Sequence, residues 1–107
     1  MANIGGSQII DATPGTTVTI TIDARVPRTV ARWTAGQNTT INISGTPIDG
    51  QMLHILVTND GVLGRTLTLG TGLLGNGLAL GIISKKSMMT FIADGGTFIE
   101  TSRTIGI

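Results

Sequence analysis

The stretch Ile48 to Gly70, I-D-G-Q-M-L-H-I-L-V-T-N-D-G-V-L-G-R-T-L-T-L-G, decides how the rest of the chain is read. It opens on Asp49-Gly50, a turn pair in which glycine supplies the positive φ that a tight turn needs. Met52 to Thr58 follows, an apolar run with the length and β-branched content of a core strand. Leu53, Ile55 and Val57 share one face, while Met52, His54, Leu56 and Thr58 share the other. A strand apolar on both faces must be covered twice, which places it centrally or against a partner chain. A second turn lies at Asn59-Asp60-Gly61. Arg65 to Leu69 then alternates, with Leu67 and Leu69 inward and Thr66 and Thr68 outward. The unit reads as a hairpin with a long loop.

Working outward, Thr16 to Asp23 is a clean alternation, with Val18, Ile20 and Ile22 on one face and Thr17, Thr19 and Thr21 on the other. That is the pattern of a half-buried antiparallel strand. Pro27 cannot donate to a ladder, so Ala24 to Arg28 reads as a loop or edge. Strands follow at Thr29 to Thr34 and Thr39 to Ser44, the latter with Ile41 and Ile43 inward. Beyond Gly70 the glycines predict a surface loop to about Gly77, then a short strand at Leu78 to Ile83. Met88 to Ala93 and Thr97 to Thr101 flank Asp94-Gly95-Gly96, a strong hairpin signal. About eight short strands at regular spacing, without a helix, predict an all-β fold: an antiparallel β-sandwich, jelly-roll-like. No solenoid-period repeat is evident. The organisation expected is an N-terminal arm (1–15), a β-sandwich domain (16–101) and a C-terminal tail (102–107).

A chain of 107 residues has room for one core. It contains no cysteine, so disulfides, thiolate metal sites and thiol nucleophiles are excluded. Only 12% of residues are charged and the net charge is +1, which argues against broad electrostatic binding to nucleic acid. So few charges on an apolar chain predict that some surface is buried between subunits. No apolar stretch is long enough to span a membrane as a helix, and the first residues lack the pattern of a signal peptide.

Candidate sites are few. His54 is the only histidine. With no cysteine or second histidine to share a metal, it reads as a packed residue in the sheet or at a subunit contact. Asp49, Asp60 and Asp94 precede glycine in turns, where aspartate caps its own backbone. No D-x-D-x-D-G calcium spacing occurs. Gly70, Gly72 and Gly75 make a G-x-G-x-x-G string, but neither a following helix nor an acidic residue completes a dinucleotide fingerprint. No catalytic, cofactor-binding or metal residue is assigned. Arg25, Arg28 and Arg32 with Trp33 form the densest basic cluster, a candidate partner contact to weigh against a solvated edge; on a strand Arg28 and Arg32 share a face, with Trp33 opposite. Ile105 and Ile107 end the chain on apolar residues that suit a partner. Lys85-Lys86 reads as a solvated turn.

The order of these pieces resembles a small all-β module of tailed-bacteriophage virion proteins, found in tail fibres, spikes and head fibres. The similar segments are G-T-P-I-D-G-Q-M-L-H-I (Gly45 to Ile55), N-D-G-V-L-G-R-T-L-T-L-G (Asn59 to Gly70) and M-T-F-I-A-D-G-G-T-F-I (Met89 to Ile99). The resemblance spans about Thr17 to Glu100. It implies a non-enzymatic virion protein, homotrimeric, that is assembled in the host cytoplasm and contacts itself and a major capsid or other virion protein. A short member suits a capsid decoration (cement) or small head-fibre role. A receptor-binding module for a host-surface glycan is the alternative. Where the family carries tryptophan after R-T-L-T and tyrosine or tryptophan in the last strand, this chain has Leu69-Gly70 and Phe98, and no tyrosine at all.

Overall fold

The computed structural model describes residues 3–4, 6–60, 65–75, 78–80 and 85–104. Successive strands alternate between two sheets. β1 (Asn3–Ile4) and β2 (Ser7–Asp11) lie in sheet A, and β3 (Thr17–Thr21) crosses to sheet B. β4 (Arg28–Ala35) returns to sheet A, β5 (Thr39–Ser44) goes to sheet B, β6 (Met52–Asn59) to A and β7 (Arg65–Leu69) to B. β2, β4 and β6 are parallel neighbours, as are β3, β5 and β7. The chain therefore winds as a β-solenoid of about three coils, with stacked residues 21 to 28 positions apart, within the span of known solenoid repeats.

The last part closes the coil. β8 (Leu73–Leu74), β10 (Lys86–Asp94) and β11 (Thr97–Thr104) belong to sheet A, and β9 (Leu78–Leu80) pairs antiparallel with β7 in sheet B. β10 runs antiparallel to β6 and makes the expected hairpin with β11 around Gly95 and Gly96, both at positive φ. β6 is central in sheet A, between β4 and β10, and sheet B covers only its Leu53, Ile55 and Val57 face.

Three expectations are corrected. The fold is not an antiparallel sandwich or jelly roll, because the strands of the first three coils run parallel within each sheet. The repeat was invisible because it lies in backbone register: Asp11, Arg32 and Leu56 stack in one column without sharing a side chain. Nor do β6 and β7 form a hairpin, since they lie in different sheets. The turn residues between strands mark corners where the chain passes from one sheet to the other. Parallel pairing usually needs a long crossover, commonly helical; here the opposite sheet's strand serves as that crossover.

Within the 1–15 stretch, residues 7–11 form β2, and within 102–107, Ser102 to Thr104 continue β11. The strand continuation to Ile83 lies outside the described residues.

The core fills the space between the sheets. Sheet A contributes Ala31, Trp33, Leu53, Ile55, Val57, Met89, Phe91 and Phe98, while sheet B contributes Val18, Ile20, Ile41, Ile43 and Leu67. All are the inward members of alternating strands, so faces were assigned correctly although partners were not.

Candidate functional site

Because sheet A is in register, its outward residues line up in columns across the strands. One column runs Ser7, Arg28, Met52, Ile92, Ile99, Leu74. The next runs Ile9, Val30, His54, Thr90, Ser102, and a third runs Asp11, Arg32, Leu56, Met88, Thr104. Inward residues stack equally well, but they are sealed by sheet B. The outward set has no covering layer among the described residues. Val30, Met52, Leu56 and Met88 are half-buried and Ile92 is exposed, arranged around the polar pair His54 and Thr90, while Leu74 is exposed on the edge strand β8.

Charge sits at the rim. Arg32 donates to the Asp11 carboxylate along its column, and Arg28 Nε donates to Ser7 Oγ at 2.9 Å. The Arg32 hydrogen bond holds the Asp11 carboxyl below the usual carboxylate range. Lys86 Nζ donates to Thr58 Oγ1 at 2.9 Å. Asp11, Arg32, Leu56, Thr58 and Lys86 line a shallow groove of about 540 Å³ at this end of the face.

His54 lies in the middle of the face. Its Nδ1 is 3.2 Å from Thr90 Oγ1, and its Nε2 is buried without a hydrogen-bond partner. Burial pushes its pKa down from the ordinary value, and the Arg28 charge pushes the same way. A neutral imidazole with one shielded nitrogen is a packing group, and no group of three or more histidine, cysteine or carboxylate side chains able to hold a metal occurs among the described residues.

The sequence-nominated cluster separates. Arg28 and Arg32 share the outer face, as their spacing implied. Trp33 points the opposite way and is 6% exposed, a core residue. Arg25 lies in the β3–β4 corner, 90% exposed, forked onto Asp23, and is not part of the face. Ile105 and Ile107 lie outside the described residues. The outward members of β2 and β10, Ile9, Met88 and Ile92, went unnominated; the signal was their apolar character on the exposed face of alternating strands.

The glycine string has a packing role. Gly70 N–H donates to the Ile41 carbonyl at 2.8 Å, and Thr71 C=O accepts from Ile43 N–H at 2.8 Å. Phe98 N–H in turn donates to Gly72 C=O at 3.0 Å, so the segment crosses from β5 to β11. No protein-family model and no curated protein matches this chain.

Proposed function

We propose that this chain is a non-enzymatic structural protein of a tailed-bacteriophage virion. In this reading it is a capsid decoration (cement) or small head-fibre protein that braces the particle through contacts of its sheets. The observation that carries the reading is the outer face of sheet A, where Val30, Leu56, Met88 and Ile92 surround His54 and Thr90 and the charged side chains lie towards the rim. That arrangement matches the make-up of protein–protein interfaces, whose cores are depleted in charge. The resemblance to phage virion modules supplies the setting. Its three segments fall on the corner and strand of β6, the corner and strand of β7, and the closing hairpin. Other copies of the chain and a major capsid or other virion protein are the partners it implies.

The glycan-binding alternative is less well supported. Sugar recognition by ring stacking needs an exposed aromatic, and Trp33, Phe91 and Phe98, all the aromatic residues of the chain, are buried. Co-sedimentation with mature particles of the encoding virus tests the proposal. Saturable binding of many copies per particle, weakened by Ile92→Asp, is the expected result. A chain that stays in the supernatant, or that binds host cells instead of particles, overturns it.

A further inference from the structure

The N-terminal end of the solenoid is built unevenly. Sheet A is extended past β2 by β1, whereas sheet B stops at β3, which among the described residues is paired only with β5. The two bonds at the ends of that pairing, Thr40 N–H to Thr16 C=O and Ile22 N–H to Ser44 C=O, fix which backbone groups face β5. They belong to even-numbered residues. By the alternation of a strand, the N–H and C=O groups of Thr17, Thr19 and Thr21 point to the open edge.

Soluble proteins normally blunt such an edge with lysine, proline, a bulge or a charge. From Thr16 to Ile22 this chain has none of these. Beside the edge, a cavity of about 590 Å³ opens into the end of the core, lined by Ile10 and Ile22 as well as Gln8, Thr19 and Thr21.

The edge sequence Thr17-Val18-Thr19-Ile20-Thr21 is symmetric in residue class about its centre. Reversed, it again places threonine at every outward position and a β-branched aliphatic at every inward one. We infer that two copies of this chain pair β3 with β3 antiparallel, about a two-fold axis at Thr19, merging their B sheets into one.

In that register Thr19 faces Thr19 of the other copy and Thr17 faces Thr21. These are the hydrogen-bonded pairs of an antiparallel ladder, so every open N–H and C=O named above finds its complement. Val18 lies opposite Ile20 on the buried side, continuing the core across the axis, and the threonine pairs on the outer side are favourable neighbours. β1 belongs to the other sheet, where it pairs only with the Ser7–Gln8 end of β2. This contact is separate from the outer face of sheet A and does not depend on the virion role proposed above.

Substitutions at Thr19 test it, since its side chain is exposed and the fold does not rely on it. Thr19→Lys or Thr19→Glu sets like charges opposite each other on the axis. Light scattering after size exclusion is expected to give each variant half the wild-type molar mass, and an equimolar mixture of the two is expected to restore it. With no native cysteine, Thr19→Cys should give one disulfide-linked dimer on mild oxidation, because facing Cα atoms about 5.5 Å apart are within disulfide reach. A wild-type mass that is an odd multiple of the chain overturns the inference. So does an unchanged mass in both charged variants, or a Thr19→Cys chain that stays uncrosslinked. Ile92→Asp on the outer face is expected to leave the Thr19→Cys crosslink intact, which separates this contact from the one proposed for sheet A.

Discussion

Gln51 Nε2 donates to the carbonyl oxygen of Val26 at 2.7 Å, tying the corner before β6 to the corner before β4. The same nitrogen donates to Asp23 C=O at 2.8 Å, and Oε1 accepts from Ile48 N–H at 3.0 Å. Gln51 is 5% exposed, so its side chain is held in the corner. Gln51→Leu keeps the volume and strands the Val26 carbonyl and the Ile48 amide, while the Asp23 carbonyl keeps its bond from Val26 N–H. Unsatisfied buried groups of this kind make the substitution cost about 2–3 kcal/mol. Thermal unfolding followed by circular dichroism should show a drop in Tm of roughly 10 °C. A change within experimental error would mean that the corners hold without this clamp.

Gly70 and Gly50 make predictions of different size for the same substitution. A Cβ on Gly70 would lie 2.8 Å from the Ile41 carbonyl oxygen and closer still to Oδ1 of Asn42, the atom that accepts from Thr71 N–H. Backbone on one side leaves nothing that can yield cheaply, so Gly70→Ala should cost about 3 kcal/mol or more. Gly50 has φ of 89° and open space around it. There alanine meets only the left-handed backbone penalty, about 1–2 kcal/mol. Denaturant midpoints of the two variants check the ranking, and equal losses would contradict the close approach at β5.

His54 predicts a pH dependence. Its folded pKa lies below the ordinary value of about 6.5, so the folded state favours the neutral ring. Stability is then full above that value and declines as pH falls below it towards the folded pKa, because the unfolded chain takes up the proton first. The groups facing His54 across the sheet are Val30 and Thr90, with the Arg28 charge nearby. His54→Gln should remove the decline that sets in below about pH 6.5 while leaving the acid limb due to Asp11 and Asp23, both held below the carboxylate range by arginine. Urea midpoints measured across pH for both chains report the difference. A wild-type midpoint that does not move across that window would rule out a depressed His54.

The faces of the strands were legible in the sequence, and their partners were not. Alternation at Val18, Ile20 and Ile22 or at Leu53, Ile55 and Val57 states which side is buried, and burial follows it. The same alternation serves a parallel coil and an antiparallel sandwich, because both leave one side of each sheet uncovered. Turn chemistry does not separate them either: Asp49-Gly50 is a corner between sheets, while Asp94-Gly95-Gly96 is a true reversal. Stacking carried the difference, and Asp11 beside Arg32 and Ser7 beside Arg28, each pair 21 residues apart in sequence, were chemical traces of it. The outer-face site was half legible. Arg28 and Arg32 were placed correctly on one face, but Ile9 and Met88 join them only once β2, β4, β6 and β10 are neighbours.

The outer face of sheet A makes a prediction that a solvated face would not. Ile92 is 39% exposed and is in register with Met52 and Ile99 on that face. Ile48 is more exposed, at 58%, but lies in the β5–β6 corner, away from that face. Aspartate at either position should change folding stability by about 0.5 kcal/mol or less, as surface substitutions do. If the face is an interface core, Ile92→Asp buries a charge there and weakens self-association by tenfold or more, about 1.4 kcal/mol. Ile48→Asp should leave association unchanged. Sedimentation velocity over a concentration series measures both. Equal effects from the two aspartates would mean that general hydrophobicity drives association, and no effect from Ile92→Asp would remove sheet A from the contact.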